Sequence, residues 1–361
     1  MTKKICFVVY NFADFHGLNS IVSELANELS DRYEVTIVSI INDGRENAFS
    51  LTSKIKYKSL LTKANSLRKD LFHVFKPSYR YFKKEAFDVI FLEGYYSGLL
   101  LSGLQMIFKS EFIFVDHGAL MNQLQDRKVT IMRFWASKLC RRTITLTERN
   151  RIDYIHKFHL PEEKVKCIYN WIDLKKQKTI NYNIHSKKII SVGRFGKEKG
   201  FDQLIEAFSI VVKKHPDWQL DIYGDGETMP LIKEMIQEKN IENNVHLPGM
   251  KRNVMERYPD YAMYVLPSYR EGFALVLLEA KLNKLPIVSF DIIAGPGEII
   301  RDPIDGLLIP PKDINAMAEA ICYLIENDDV REAMSKRALD NMDKFSKEII
   351  LKEWIAICEQ N

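Results

Sequence analysis

The chain has 361 residues, 46% of them hydrophobic and 28% charged, with 52 basic and 48 acidic side chains. This length exceeds one ordinary hydrophobic core and predicts two domains, and the composition is that of a soluble globular protein rather than a disordered one. Five scattered cysteines without a CxxC pair exclude a disulfide framework and a zinc site, and they indicate a cytoplasmic protein.

The first half of the chain alternates compact apolar runs with amphipathic segments, which predicts the βαβ pattern of a parallel sheet covered on both faces. The apolar runs are "KICFVVYNF", "YEVTIVSI", "FDVIFLEG", "EFIFVDHG" and "RTITLTE". The first run is too short to span a bilayer and is interpreted as a buried strand. Residues 1–175 carry 27 Lys and Arg against 19 Asp and Glu, so this half has a net charge of +8. That surplus indicates an anionic partner or simply a basic surface.

The pattern begins again after a polar stretch, Lys175 to Ser186, which is interpreted as a linker. The later runs include "KKIISVGRF", "WQLDIYGDG", "YAMYVLPS", "PIVSF" and "DGLLIPP". They predict a second doubly wound domain, so the domains are 1–175 and 176–344. Because ligands bind beyond the carboxyl ends of such strands, the natural site is a cleft between the domains. No G-x-G-x-x-G directly follows a strand and no Walker A loop is present, which argues against a dinucleotide or P-loop protein.

The loop "SVGRFGKEKG" follows an apolar strand and leads into a helix. It carries Arg194, Lys197 and Lys199 next to glycines. Cations and unpaired backbone N–H groups at a helix start bind anions, and together they suit a diphosphate. The alternative is a solvated basic turn.

Glu271 and Glu279 lie eight positions apart around an apolar run. At ~1.5 Å rise per helical residue the interval is ~12 Å, whereas paired glycosidase carboxylates stand about 5 to 9.5 Å apart. An acid/base pair is therefore disfavoured, and the spacing suits the two ends of one extended ligand. Glu271 is expected on a loop, the Gly272 to Leu275 amides in the first helical turn, and Glu279 in the helix. The alternatives are a Lys or Arg partner for Glu279 and a helix-dipole role for Glu271.

Five segments of the second half occur in a characteristic order: "VGRFGKEKG", "YGDG", "LPG", "PSYREGFALVLLEA" and "GPGEII". This set resembles family 4 of the retaining glycosyltransferases, of the bacterial cell-surface polysaccharide type. The resemblance implies the GT-B fold, an α/β architecture in which two Rossmann-like doubly wound domains face each other across a deep cleft. It makes 1–175 the acceptor-binding domain and 176–344 the nucleotide-sugar domain, with a C-terminal helix, 345–361, packing back on the first.

The resemblance also implies roles for residues of the second domain. Arg194 and Lys199 would hold the donor diphosphate, Glu271 would accept hydrogen bonds from the donor sugar, and Glu279 would bind the ribose hydroxyls. Further donor contacts would come from Met250, beside the base, and from the amides of Gly272, Phe273, Ala274 and Leu275. Gly297 and Glu298 would open a helix behind the pyrophosphate. Ala274 stands where the family often has Pro or Gly.

The first domain resembles the family less closely. Gly17 and Leu18 occupy the place of a Gly-Gly loop that approaches the donor phosphates, but only one glycine is present. His117 ends an apolar run at the position where the family commonly has a histidine at the sugar, so it is assigned a catalytic role. Glu93 ends another run and is assigned to the acceptor side, with a purely structural role as the equal alternative.

The expected reaction is transfer of a hexose or N-acetylhexosamine, with retention, from a nucleotide-sugar, UDP-sugar by resemblance, to a saccharide or lipid-linked saccharide acceptor. Same-face displacement is favoured, in which Arg194 and Lys199 stabilise the leaving phosphate. No Asp-x-Asp motif is present, so no metal and no cofactor are expected. The alternative function is a catalytically silent nucleotide-sugar-binding or scaffold subunit.

Two basic stretches with interleaved aromatic residues suggest an anionic membrane surface as a partner. They are Lys54 to Lys84, with ten basic residues and one acid, and "DRKVTIMRFWASKLCRRT". The alternative is the solvated face of two ordinary helices. Nucleic-acid binding is disfavoured because no recognition motif accompanies the charge. The expected location is cytoplasmic and peripheral, at the inner face of the plasma membrane.

Overall fold

The computed structural model describes residues 2–14, 17–47, 49–62, 67–176, 182–251 and 253–360, with backbone alone for residues 67–72 and 176. It forms two compact units, one of Met1–Asn170 with Glu348–Asn361 and one of Trp171–Lys347. These are called unit 1 and unit 2. The sequence places the domain boundary at 175/176, five residues beyond the end of the first segment.

Unit 1 contains a seven-stranded parallel sheet in the order β3-β2-β1-β4-β5-β6-β7. The strands are β1 Lys4–Asn11, β2 Glu34–Ile41, β3 Lys56–Leu61, β4 Val89–Glu93, β5 Glu111–Asp116, β6 Arg142–Thr145 and β7 Val165–Cys167. The helices are α1 Gly17–Leu29, α2 Leu67–Glu85, α3 Gly94–Leu101, α4 Arg127–Leu139 and α5 Glu148–Phe158. Strands β4 and β5 are buried along their whole length, as the continuous apolar runs predict.

Unit 2 repeats this plan with six parallel strands in the order β10-β9-β8-β11-β12-β13. The strands are β8 Lys188–Val192, β9 Gln219–Tyr223, β10 Val245–Gly249, β11 Met263–Leu266, β12 Ile287–Phe290 and β13 Gly306–Ile309. The helices are α6 Phe201–Lys214, α7 Met229–Glu238, α8 Leu275–Leu282, α9 Pro296–Ile299, α10 Ile314–Glu326 and α11 Asp328–Arg337. The predicted α/β class with two doubly wound parallel sheets is confirmed.

The last helix, α12 Lys347–Glu359, packs on unit 1. The Trp354 ring meets the edge of Phe91 in β4, with centroids 5.4 Å apart. The Lys3 ammonium donates to the Cys358 carbonyl at 3.0 Å, and the Tyr33 hydroxyl donates to Glu359 at 2.5 Å. Buried aromatic packing and backbone-directed hydrogen bonds therefore hold this helix to the first sheet.

The Lys54 to Lys84 stretch is not one amphipathic helix. Lys54 precedes β3, Lys56 and Lys58 lie in it, and residues 63–66 are outside the described part of the chain. Strand β3 is the edge of the sheet, where exposed lysines are typical because they oppose pairing with another chain. The remainder of the stretch reaches α2, which contains Pro77.

Each sheet reverses its strand order at one place, between β1 and β4 in unit 1 and between β8 and β11 in unit 2. Loops that leave neighbouring strands at such a point diverge to opposite faces of the sheet and open a crevice. Glu93 at the end of β4 and the loops of Arg194 and Glu271 lie at these two points, whereas the predicted residues His117, Met250 and Gly297 follow β5, β10 and β12.

Candidate functional site

The loop after β8 carries the predicted diphosphate-binding cations. Arg194 donates to Glu198 Oε1 at 2.8 Å, and its side chain is 67% exposed. Partial burial raises the pKa of Glu198, but the hydrogen bonds from Arg194 and from the backbone, together with the charges of Arg194 and Lys199, outweigh it and hold the pKa below its ordinary value. Glu198 is therefore a carboxylate that steadies Arg194, whose guanidinium keeps most of its surface available to a ligand.

Gly200 ends this loop in the left-handed conformation, with φ +65°. A Cβ atom there would lie 2.1 Å from the Pro267 carbonyl oxygen, so no other residue fits. The Tyr269 amide donates to the Glu198 carbonyl at 2.9 Å. The loops after β8 and β11 are thus locked together, which fixes the cations of one loop beside the carboxylate of the other.

Glu271 is where these two loops meet. Lys199 Nζ lies 2.7 Å from its Oε1, and the Ser268 hydroxyl donates to the same oxygen at 2.6 Å. The Glu271 side chain is 9% exposed and that of Lys199 is 23% exposed. The sequence predicted both residues but not their contact, because 72 positions separate them.

Helix α8 begins at Leu275, later than expected. Its N-cap residue, Ala274, has φ +56°, a left-handed conformation that breaks the helical path. Of the four amides predicted for the first turn, only that of Leu275 is in the helix. Gly272 and Phe273 form the preceding turn, and a Cβ atom on Gly295 would lie 3.3 Å from the Phe273 carbonyl oxygen.

Glu279 lies in α8, as predicted, and accepts a hydrogen bond from the Tyr258 hydroxyl at 3.1 Å. The partner in this contact is a tyrosine, whereas the alternative prediction was a Lys or Arg. Tyr258 is fully buried, and the sequence interpretation missed it because its neighbours, Arg257 and Pro259, give no sign of a contact with a residue 21 positions away.

The remaining predicted residues of unit 2 lie on separate loops. Met250 follows β10 and is 62% exposed. Gly297 and Glu298 lie in the four-residue helix α9, where the Lys344 ammonium donates to the Glu298 carbonyl at 3.0 Å. The structure thus places Lys199 and Glu271 in contact, with Arg194 in the same loop as Lys199. Glu279 lies eight residues beyond Glu271, in α8.

In unit 1, Glu93 ends β4 and His117 follows the neighbouring strand β5, and their side chains meet. His117 Nε2 lies 2.6 Å from Glu93 Oε2, and the Glu93 side chain is almost completely buried. This hydrogen bond fixes the orientation of the imidazole ring against the buried carboxyl group. Nδ1 has no hydrogen-bond partner within the described residues.

Leu18 belongs to the same point of the sheet. A Cβ atom on Gly94 would lie 3.4 Å from the Leu18 side chain, so the start of α1 contacts the start of α3. Gly17 is the first residue of α1, and nothing lies within 4 Å of the position that its Cβ would take. The buried Asn19 side-chain amide of α1 donates to the carbonyl of Asn11, the last residue of β1, at 2.8 Å.

A buried ion pair lies under this edge of the sheet. Asp116, the residue before His117, is 2.9 Å from Arg133 of α4, and the two side chains are each 1% exposed. The Tyr154 hydroxyl donates to Asp116 at 2.7 Å. The sequence reading assigned Arg133 to a basic surface stretch, but its charge is neutralised inside the unit.

Across the described ranges, no cluster of three or more His, Cys, Asp or Glu side chains is placed to bind a metal ion. None of the helices traced in the structure is both long and apolar enough to cross a bilayer.

Known proteins match the whole chain. Residues 15–176 match the family described as "Glycosyltransferase Family 4", and residues 174–340 match "Glycosyl transferases group 1". An uncharacterized glycosyltransferase of Haemophilus influenzae is 29% identical over 98% of this chain and 99% of its own length. The amylovoran biosynthesis glycosyltransferase AmsD of Erwinia amylovora is 27% identical over 97% of this chain and 98% of its own length.

The crystal structure of Anabaena HepE in complex with UDP-glucose has a TM-score of 0.82 at 17% identity and covers 98% of each chain. The two parallel sheets and this likeness show the GT-B fold that the sequence resemblance implies. The two family matches together span residues 15–340, and the chain belongs to the family 4 glycosyltransferases.

Proposed function

We propose that this glycosyltransferase moves a hexose or N-acetylhexosamine from a UDP-sugar to a saccharide or lipid-linked saccharide, with retention, in cell-surface polysaccharide biosynthesis. The observation that carries the proposal is the contact of Lys199 and Ser268 with one oxygen of Glu271, beside the exposed Arg194. Cations and a carboxylate acceptor stand together there, as a diphosphate and a hydroxyl-bearing sugar require.

A role in cell-surface polysaccharide biosynthesis is supported by a relative that aligns with this chain over almost its full length. The Erwinia amylovora protein is described as an amylovoran biosynthesis enzyme, and this chain aligns with 98% of it. The choice of UDP is supported by the Anabaena protein of the same fold, which was crystallised with UDP-glucose.

In the proposed reaction the bond between the anomeric carbon and the diphosphate breaks while the acceptor oxygen attacks from the same face. Arg194 and Lys199 stabilise the negative charge that grows on the leaving phosphate, and that phosphate takes the acceptor proton. Glu271 accepts hydrogen bonds from the sugar, and Glu279 accepts those of the ribose. No metal is needed because the two cations supply the positive charge.

His117 is proposed to contact the donor sugar with the part of its ring that is exposed. Its Nε2 is held by Glu93, which fixes the orientation of the ring. A direct role of Glu93 on the acceptor side stays a prediction.

The test is nucleotide release from a panel of UDP-, GDP- and ADP-sugars, with Glu271→Ala as the control variant. We expect release from one UDP-sugar that is lost in Glu271→Ala and persists in excess EDTA, with the product anomer assigned by NMR. Binding of donors without release or transfer on any acceptor would instead support the silent scaffold subunit. Activity that disappears in EDTA and returns with Mg²⁺ would overturn metal independence.

We also propose that helix α4 is the peripheral membrane contact at the inner face of the plasma membrane. Ile131 and Trp135, one turn apart, are both about half exposed, and Arg127 and Lys128 are exposed on the same stretch. At 100° per residue these four side chains fall within about 100° of one another, so an apolar and basic stripe faces outward.

The measurement is co-sedimentation with vesicles of phosphatidylglycerol and phosphatidylcholine at low salt. We expect the Ile131→Gln, Trp135→Gln double variant to stay in the supernatant. The matched control is Ile152→Gln on α5, which alters another exposed isoleucine of the same unit. Equal sedimentation of the wild type and the double variant would overturn this assignment.

A further inference from the structure

The carboxylate of Glu279 is held from inside unit 2 by a buried phenol. The Tyr258 hydroxyl donates to Glu279 Oε2 at 3.1 Å, and Tyr258 has no exposed surface. Burial, followed by the charge of Glu279, raises the pKa of Tyr258 well above its ordinary value. The phenol therefore stays protonated, and it donates to Glu279 throughout the range in which the protein works.

A second buried tyrosine fixes the first. The ring of Tyr264 in β11 stacks on that of Tyr258 with centroids 5.8 Å apart and planes 11° from parallel. The Tyr264 hydroxyl donates to the carbonyl of Val192 at 3.2 Å, and Val192 is the last residue of β8. The residue that follows Val192 begins the loop of Arg194 and Lys199.

These contacts form one connected path from the loop of the cations to the second glutamate. Its members are Val192, Tyr264, Tyr258 and Glu279, and all belong to unit 2. Because both rings are fully buried in a close-packed interior, neither can change its rotamer without displacing its neighbours.

We propose that Tyr258 is a positioning residue for the nucleotide, which acts by fixing the orientation of the Glu279 carboxylate toward the ribose hydroxyls. The inference rests on the ribose role proposed for Glu279. A carboxylate that is already oriented loses less conformational freedom when the ligand binds, and the affinity rises accordingly. Tyr258 acts through Glu279 and is remote from the bond that breaks, so it affects nucleotide binding rather than the chemical step.

The experiment compares nucleoside diphosphates with their 2′-deoxy analogues by titration calorimetry. The probes are UDP, GDP, ADP and CDP, and the diphosphate that the wild type binds most tightly is carried forward with its 2′-deoxy form. Tyr258→Phe removes only the hydroxyl. We expect the Kd of the ribonucleotide to rise about 5- to 20-fold, since a hydrogen bond to a charged group is lost. The Kd of the 2′-deoxy form should rise less. The ratio of the 2′-deoxy Kd to the ribonucleotide Kd should therefore fall at least twofold.

Tyr261→Phe is the matched control. Tyr261 is also buried, and its hydroxyl donates to Asp221 at 2.5 Å instead of to Glu279. We expect this variant to keep the wild-type ratio. A Tyr258→Phe variant with the wild-type ratio, or with the same change as Tyr261→Phe, would overturn the inference because a purely structural role predicts either result.

Glu279→Gln separates this inference from the function on which it rests. If Glu279→Gln keeps the wild-type discrimination against the 2′-deoxy form, the ribose role itself is wrong. If Glu279→Gln loses the discrimination while Tyr258→Phe keeps it, Glu279 binds the ribose and only the positioning role of Tyr258 is wrong. In steady-state assays the positioning role predicts a higher KM for the donor in Tyr258→Phe with kcat nearly unchanged.

Discussion

The two units share a strand order around their switch points, but the cations at the candidate site of unit 2 are far more exposed than the ion pair under the sheet edge of unit 1. In unit 1 the Asp116 and Arg133 side chains are each 1% exposed and neutralise each other. In unit 2 Arg194 is 67% exposed and Lys199 is 23% exposed. The same topology therefore supports a charge pair that maintains the unit and a set of cations that stays accessible to a ligand. Burial, rather than residue type, separates the two uses.

Among the variants, Arg133→Met in unit 1 should cause the largest loss in the free energy of unfolding. It leaves the buried Asp116 carboxylate with Tyr154 and without its cation, and removal of one partner of a buried pair costs about 3–5 kcal/mol. We expect that loss in the free energy of unfolding, measured by urea denaturation. The control is Arg127→Met, an exposed arginine of the same helix, which should change stability by less than ~0.5 kcal/mol.

Lys199→Met should affect activity far more than stability. Loss of one group that stabilises developing charge lowers kcat by about 10²- to 10³-fold. Glu271 keeps its hydrogen bond from Ser268, so the expected loss in unfolding free energy is only ~1 kcal/mol.

Lys197→Met, in the same turn and exposed, is the matched control for Lys199 and should retain near-wild-type kcat. A Lys199→Met enzyme with wild-type kcat, or one destabilised as strongly as Arg133→Met, would remove the contrast between the two units.

Ala274→Gly tests the turn that delays the start of α8. A non-glycine residue in the left-handed region costs about 1–2 kcal/mol, so glycine should raise the free energy of unfolding by about 1 kcal/mol despite its greater freedom when unfolded. Ala280→Gly, inside the same helix, should lower stability by about 1 kcal/mol or more. Thermal unfolding of both variants measures this difference in sign.

The smallest effect concerns pH. The Glu198 carboxyl has a lowered pKa in the folded protein, so it stabilises the fold above its unfolded pKa and loses that contribution as the pH falls through the folded value. The wild type should therefore lose more stability than Glu198→Gln between about pH 5 and about pH 3. Because the pair with Arg194 is largely exposed, the difference should stay below ~1 kcal/mol. Urea unfolding at several pH values would measure it, and parallel curves for the two proteins would contradict it.

Much of the fold was predictable because parallel strands buried on both faces leave continuous apolar runs in the sequence. The loop position of Glu271 and the helical position of Glu279 were also predictable. The start of α8 was not, because alanine gives no sign of the left-handed conformation that Ala274 adopts. The sequence interpretation therefore placed the Gly272 to Leu275 amides in the first helical turn.

Contacts between distant positions were the other part that the sequence could not supply. Lys199 meets Glu271, and His117 meets Glu93, through the order of the strands rather than through local spacing. Tyr258 was missed because its contact with Glu279 joins residues 21 positions apart, which local spacing does not reveal. Arg133 looked like a surface charge because the helical pattern of α4 does not reveal that Asp116 lies beneath it.

The chain enters and leaves unit 2 at one place. The Ile172 amide donates to the Phe345 carbonyl at 2.9 Å, and the Lys347 amide donates to the Ile172 carbonyl at 3.2 Å. Unit 2 is thus one continuous segment whose two ends are hydrogen-bonded to each other. Unit 1 is assembled from two segments, one before and one after unit 2. Continuous modules such as unit 2 are suited to exchange between relatives, so residues 171–347 are the segment to exchange in chimeric enzymes that test which unit sets donor choice.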